Sequence, residues 1–357
     1  MIRAKVPKKI SFEGKRLSVG LDVHAKQWNV SIYLEEVFMK QFQQVPSSRQ
    51  LSRHIQENYP GAQVVCAYEA GCFGYWIHRE LQQLGIECIV VNPADIPTTD
   101  KERKVKTDRI DSKKIAFGLS RGVLKGIYVP EKIYESDRQL VRMRSRIVKN
   151  LTQAKNQIKS YLRGQGIHIP KEYERSWSKR FMEWLKGLKG LHPSGTIIME
   201  ELVSLFESLR SQLLRLNKAI RDLLKEERYE SRAKILLAIP GVGLITAMTY
   251  LTEIIEEQRF ECFDKLNSYI GLCPTEYSSG EQEHKGAITP RAHRLRPLMI
   301  EASWIAIRTD PALASCFSDY VKKGMTKKRA IIKIARKLLN RMYTLLKKRQ
   351  EYQTGIN

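Results

Sequence analysis

The sequence predicts an α/β plus α protein, and three observations carry that expectation. β-rich runs alternating with short amphipathic segments fill residues 16–125. Long apolar periodicities of helical spacing follow from about residue 134. Lys and Arg outnumber Asp and Glu by 62 to 38 in 357 residues, a formal charge of +24. Such a field gathers polyanions, so nucleic acid is the first partner to consider. An anionic membrane is the other candidate, but no apolar stretch approaches the roughly 20 residues that span a bilayer. The opening MIRAKVPKKISFEGK carries no apolar signal core. Cys66, Cys72, Cys88, Cys262, Cys273 and Cys316 are scattered without paired spacing. Neither a disulfide framework nor a zinc site is expected, and a reducing cytoplasm fits best.

The elements read in order. RLSVGLDVHAK and WNVSIYLEE are β-rich and close enough to form adjoining strands. SSRQLSRHIQENY reads as a helix capped by Ser47 or Ser48, AQVVCAYEA as a strand, and GYWIHRELQQLG as a helix ending at Gly85. IECIVVNPAD is a strand stopped by Pro93, and a further helix starts at Thr107 or Asp108 and runs to about Arg121. This order suits a mixed sheet with helices on its faces. QLVRMRSRIVKNLTQAKNQIKSYL is a long helix. In MEELVSLFESLRSQLLRLNKAIRDLLKEE, Leu202, Phe206, Leu209, Leu213, Leu216, Ile220 and Leu223 step by four and three, the seam of a coiled coil. The two helices can pair within one chain or between chains. ILLAIPGVGLITAMTYLTEI resembles a helix-hairpin-helix. Its turn, with Gly241 and Gly243, either offers backbone N–H groups to phosphate or simply joins two packed helices. The expected division is a basic segment over 1–15, a carboxylate domain over 16–130, a helical region over 131–230 and a C-terminal domain over 231–357.

The chemistry-bearing residues form three groups. Asp22 shares a strand face with Ser18 and Gly20, and Glu69 shares one with Val65 and Ala67, so small residues beside each acid leave room for an ion and a DNA backbone. Asp108 and Asp111 are three apart at a helix start and project from one face. Oxygen-only ligands suit Mg²⁺ (or Mn²⁺), which can flank a scissile phosphate. Each acid alone is more simply a surface or capping residue. Second, Ser278 and Ser279 precede Gly280 in a polar stretch read as an exposed loop. A serine can attack a phosphodiester if arginines or a metal stabilise the forming charge. Third come candidate nucleic-acid contacts. Lys104, Lys106 and Arg109 stand around the helix start, and Lys285, Arg291, Arg294 and Arg296 around the serines. Lys327, Lys328, Arg329, Lys333, Arg336 and Lys337 belong to a tail in which residues 321–350 hold twelve Lys and Arg and no acid. An apolar stripe of Ile331, Ile334, Ala335, Leu338, Met342 and Leu345 would pack that tail, leaving its other face cationic.

Taken together, VGLDVHAK, YEAGCFGYWIHREL, VVNP and VKTDRIDSKKIA, followed far downstream by IPGVGLITA, YIGLCPTEYSSGE, GAIT and LMIEASW, resemble a known family over nearly the whole chain. It is similar to the DEDD transposases of bacterial insertion sequences, the insertion-sequence 110 family, related to the pilin-gene invertase. The resemblance implies a ribonuclease-H-like (RuvC-type) N-terminal domain with Asp22, Glu69, Asp108 and Asp111 as its Mg²⁺ site. It implies Ser279 as a nucleophile that becomes joined to DNA, with Ser278 an adjacent candidate. It also implies donor and target double-stranded DNA as substrates and a structured bridge RNA that supplies sequence choice by pairing. A homo-oligomer, dimer to tetramer, would let one protomer's carboxylates meet another's serine. One segment departs from the family. Where members commonly carry a lysine and then glycine with Asn or Asp, this chain has Pro290, Arg291, Ala292 and His293. The competing readings are a RuvC-like structure-selective nuclease or resolvase using metal-activated water, and a nucleic-acid scaffold without chemistry.

Overall fold

The computed structural model describes residues 11–96, 108–173, 176–279, 282–288 and 293–354; the side chains of residues 108–109 and 274–288 fall outside that description. The chain divides into two compact units, residues 1–129 and 130–357.

The first unit is built on a five-stranded sheet. Its strands are β1 (Arg16–Val23), β2 (Trp28–Leu34), β3 (Val37–Gln44), β4 (Gln63–Glu69) and β5 (Glu87–Val91), in the order β3-β2-β1-β4-β5. β1, β2 and β3 pair antiparallel, whereas β4 lies parallel to β1 and β5 parallel to β4. The alternation of apolar residues explains the layers. Leu17, Val19, Leu21, Trp28, Val30, Ile32, Cys66 and Tyr68 face a core completed by helices α1 (Ser48–Asn58) and α2 (Trp76–Gln83). Ser47 caps α1 by accepting from the Gln50 amide, as Ser/Thr/Asp/Asn do at helix starts. Helix α3 (Asp108–Ser120) covers the opposite face, setting Ile115 and Leu119 on Val65, Ala67 and Val91.

β3 is the element that sequence patterning did not anticipate. Its VFMKQFQQ lacks a clean alternation, and Val37, Phe38 and Met39 are exposed at the sheet edge. Pairing recruits it. A tight turn with Glu35 at φ 53° folds it back onto β2, and the pairing shifts register between Ile32 and Tyr33, leaving Met39 as the extra residue. A one-residue bulge restores the alternation with opposite phase. Phe38 and Gln41 therefore stand on the same face, toward α3.

The second unit is mostly helical. Helices α4 (Lys132–Gly164) and α6 (Pro193–Leu224) form an antiparallel hairpin within the chain, Arg144 meeting Asn217 near one end and Tyr161 meeting Gly195 near the other. The four-three seam read from the sequence falls at buried or half-buried positions along α6, with Val203 burying more fully than Leu202. Short α5 (Lys179–Lys186) packs Phe181, Met182 and Leu185 at the far end of the hairpin. Next come α7 (Glu227–Leu237), α8 (Leu244–Ile254), α9 (Phe263–Ile270), the two-stranded ribbon β6 (Pro274–Ser279) and β7 (Gln282–Ile288), then α10 (Leu295–Thr309), α11 (Pro311–Lys322) and α12 (Lys327–Lys348). One core joins α7 to α12 with the near end of the helical hairpin, through Val141, Ile220 and Leu223. No helix among the described residues is long and apolar enough to cross a membrane.

Candidate active site

The geometry of the site follows from three rows of side chains on the α3 face of the sheet. Register pairs Ser18 with Tyr33 and Tyr33 with Phe38 in the first row. Gly20, Ser31 and Gln41 make the second, and Asp22, Asn29 and Gln43 the third. Glu69 extends the third row, because it and Asp22 each lie one residue beyond the parallel pair Leu21–Tyr68. Both acids thus stand at the C-terminal ends of adjacent parallel strands, where open α/β sheets bind ligands. β4 is held in place beyond Glu69 by the Ala70 amide, which donates to the Val91 carbonyl at 2.8 Å.

The second row fixes α3. A Cβ on Gly20 would stand 2.2 Å from the Ser112 carbonyl oxygen and 2.3 Å from the Ala116 nitrogen, so only glycine lets the helix lie this close. The Ser31 and Ser112 hydroxyls, both fully buried, are 2.9 Å apart, and the Gln41 amide donates to both at 3.1 and 3.3 Å. Gly20 is small because a helix rests on it.

The start of that helix lies toward the same edge. Phe117 meets Tyr33, which pairs with Ser18, while Ser112 and Ala116 lie over Gly20, so α3 runs against β1. Advancing from Gly20 to Asp22 covers roughly 6.6 Å of strand, which equals about four residues of helix. The level of Asp22 on α3 is therefore the stretch between Asp108 and Asp111. Asp22 and Asp111 have side chains 18% and 26% exposed, dry enough to strengthen a charge interaction yet open to a ligand. The His24 imidazole Nε2 is 3.1 Å from Asp22 Oδ2, and Lys114 Nζ is 3.9 Å from Asp111. Glu69 is exposed.

The donor set suits a hard divalent cation, being all carboxylate oxygen on one face. Among the described residues no three His, Cys, Asp or Glu side chains gather closely enough to hold an ion on their own. The side chain of Asp108 lies outside the described residues, as do that of Arg109 and the whole of Lys104 and Lys106.

In the second unit, the serines stand in a strand rather than in a loop. Ser279 pairs with Gln282 as the last pair before the turn of the β6–β7 ribbon, and Ser278 pairs with Glu283. TEYSS and QEHKGAI have no apolar alternation to reveal a strand; the pairing of two polar segments makes one. The side chains of Ser279 and Lys285 and the whole of Arg291 lie outside the described residues. After the ribbon, Arg294 is exposed, and Arg296 donates to the Gly271 carbonyl at the end of α9.

The Pro240–Gly243 turn divides the roles of its two glycines. Gly241 has φ +84°, and a Cβ there would meet the Ala302 carbonyl oxygen at 2.2 Å, so packing against α10 accounts for it. Gly243, exposed at the start of α8, remains open to a phosphate. On α12, Ile331, Ile334, Ala335, Leu338 and Met342 are buried and Leu345 half-buried, while Lys327, Lys328, Arg329, Lys333, Arg336 and Lys337 are exposed. Arg336 also pairs with Asp264 at 2.7 Å.

Acids at the ends of adjacent parallel strands, in a chain of formal charge +24, fit a protein that works on nucleic acid. Comparison with known proteins makes this specific. The DEDD_Tnp_IS110 transposase family matches residues 19–166, and the Transposase IS116/IS110/IS902 family matches residues 233–318. The chain belongs to the IS110 family of transposases, enzymes that cut and rejoin DNA. It is 34% identical over 242 residues to the Sinorhizobium fredii protein y4qE, a match covering 68% of this chain but 58% of that relative's length. It is 24% identical over 339 residues to the transposase for insertion sequence element IS1111A of Coxiella burnetii, covering 92% and 87% of the two chains. It is also 30% identical over 129 residues to the pilin gene-inverting protein of Moraxella bovis, covering 35% and 40%. The DEDD match implies a divalent metal for the carboxylates.

Proposed function

We propose that this chain is a DNA transposase that cuts and rejoins DNA at an insertion-element junction. Asp22, Glu69, Asp108 and Asp111 would hold Mg²⁺ (or Mn²⁺) and Ser279 would serve as nucleophile. A ribonuclease-H-like fold for the first unit is part of this reading, as are a bridge RNA that selects the sites and a homo-oligomer of two to four copies. The observation that carries the proposal is the third row: Asp22 and Glu69 side by side, with the start of α3 at their level.

When bound, the cation would draw charge from a scissile phosphate and from the oxygen that leaves it. The protein's own part is positional. Asp22 and Glu69 are fixed by strand pairing, and Asp111 by the seating of α3 on Gly20. In the covalent step the Ser279 Oγ–P bond forms, one bridging P–O bond of the DNA breaks, and the serine proton leaves to a nearby base or water. The departing DNA hydroxyl takes up a proton. The phosphodiester energy is kept in the serine ester, so a second DNA hydroxyl can reverse the step and regenerate the serine without an outside energy source. Lys327, Lys328, Arg329, Lys333 and Lys337 would grip phosphates along the exposed face of α12.

Trapping tests this reading. Purified chain is incubated with Mg²⁺, the RNA flanking its element and junction DNA, then denatured and examined for protein attached to DNA. An adduct lost in Ser279→Ala supports the assignment; an adduct that persists moves the role to Ser278 or elsewhere. Cleavage without an adduct in the wild type favours a structure-selective nuclease using metal-activated water.

A further inference from the structure

We infer that Asn29 is a positioning residue of the carboxylate site: its Nδ2, unanswered among the described residues, is placed opposite Asp22 to donate to that carboxylate once a cation holds it. The inference rests on reading Asp22 as a metal ligand. Asn29 stands directly opposite Asp22 across the β1–β2 pair. The alternation of β2 turns it to the α3 face, the face on which Ser31 meets Ser112.

Its surroundings define which of its atoms is available. Asn29 is 1% exposed, and its Oδ1 accepts from the Gln43 Nε2 at 3.0 Å, across the β2–β3 pair. That bond fixes the amide, so Nδ2 points away from Gln43. Nδ2 has no hydrogen-bond partner among the described residues. A buried donor left unanswered costs about 1–3 kcal/mol, so such a group persists where something makes use of it.

The acceptors in this row are carboxylates. Asp22 lies across the strand, and the acids at the start of α3 lie at the same level. A carboxylate offers about four lone-pair directions, so Asp22 can keep His24 and still accept a further donor. An N–H donor there has two effects. It sets the rotation of the carboxylate, and it favours the ionised form that a cation needs. Because the amide is neutral, Asn29 does this without adding another charge to a site crowded with acids.

Gln43 thus orients Asn29, and strand register sets the Asn29 amide opposite Asp22, ready to orient it when a cation is bound. Hydrogen-bond partners of ligating groups commonly govern metal affinity by about 10–100-fold.

The test measures Mn²⁺ binding to the full chain by the resonance signal of free Mn²⁺, alongside thermal unfolding without metal. Asn29→Leu is expected to weaken Mn²⁺ binding about tenfold or more. Its metal-free melting temperature should hold or rise, because an apolar group of similar shape replaces an unanswered donor. Gln43→Leu, which frees the Asn29 amide to turn, is expected to give a smaller loss in the same direction. Asp22→Asn is the control for the site. Binding lost in Asp22→Asn but unchanged in Asn29→Leu overturns the role of Asn29 alone. Binding unchanged in both overturns the carboxylate reading, and the inference with it.

Discussion

The α-carbon of Gly20 lies directly beneath the Ser112 carbonyl, so close that a methyl group there would sit 2.2 Å from the oxygen. One residue before Ser112 is Asp111, and two residues beyond Gly20 is Asp22. The closeness of a strand and a helix at this one point therefore sets the height of Asp111 on its helix relative to Asp22 on its strand.

Gly20→Ala should lift α3 from the sheet. All three clashing atoms are backbone, with no side chain able to move aside. Overpacking of this kind typically costs about 1–3 kcal/mol. The expected outcome is a lower urea midpoint together with weaker Mn²⁺ binding. A variant with unchanged stability and unchanged binding would show that the helix height does not govern the site.

Ser112→Ala should separate the seating of α3 from its chemistry. The substitution leaves the Ser31 hydroxyl and the Gln41 amide bonded to each other at 3.1 Å. A loss of about 0.5–1.5 kcal/mol is expected for the missing hydrogen bond. Denaturant titration measures it. A loss several times larger would mean that the Ser31–Ser112–Gln41 contact holds the first unit together rather than only placing the helix.

The two glycines of the turn before α8 should behave differently. Gly241→Ala places a side chain at φ +84° and against the Ala302 carbonyl, and the second unit should be markedly destabilised. Gly243→Ala has open space around it and an ordinary φ of −91°, so stability should barely change. If the turn binds phosphate, Gly243→Asp should weaken DNA binding, since a carboxylate there repels the backbone. Equal DNA affinity in Gly243→Asp and wild type would leave the turn a connector only.

Stability of the second unit should fall with acid. Burial holds the His293 imidazole below its ordinary value, against the pull of Glu253 and with the help of Arg142. Burial alone would raise the Glu253 carboxyl, but Arg142, bonded to both its oxygens at 2.7 Å, prevails and keeps it below the ordinary carboxylate range. For both groups the unfolded chain binds the proton more readily. Their contributions are therefore complete above the unfolded values and are lost as pH falls through the folded ones. Chemical denaturation between about pH 7.5 and about pH 5 should show a declining midpoint, first from His293 and at lower pH from Glu253. His293→Asn should flatten the upper part of that decline; an unaltered slope would place its cause elsewhere.

The cationic face of α12 should be separable from its core face. Cutting the helix away would remove Ile334, Leu338 and Met342 from the core, so neutralisation is the cleaner change. Replacing Lys327, Lys328, Arg329, Lys333 and Lys337 with Gln should leave melting nearly constant and weaken nucleic-acid binding. The logarithmic salt slope should fall by about 0.9 for each phosphate contact removed. An unchanged slope would assign these cations to solvation.

Strand and helix periodicity made most elements legible from sequence. The Ser47 cap, Gly85 after α2 and the span of α3 agree with the structure because local propensity and capping fix them. The polar strands were not legible. β3 and the β6–β7 ribbon exist through pairing, which no single segment encodes.

The sequence by itself determined the family and the basic character, since motif and charge are written in residue order. Only the tertiary structure decided why Gly20 is small, that Gly241 answers to α10, and that the long helices pair within one chain. It alone set Asn29 opposite Asp22 and gave Gln43 hold of its oxygen. The physical reason is that sequence specifies which groups a strand carries, whereas register specifies which groups meet. A shift of one residue in that register would turn every one of these side chains to the other face.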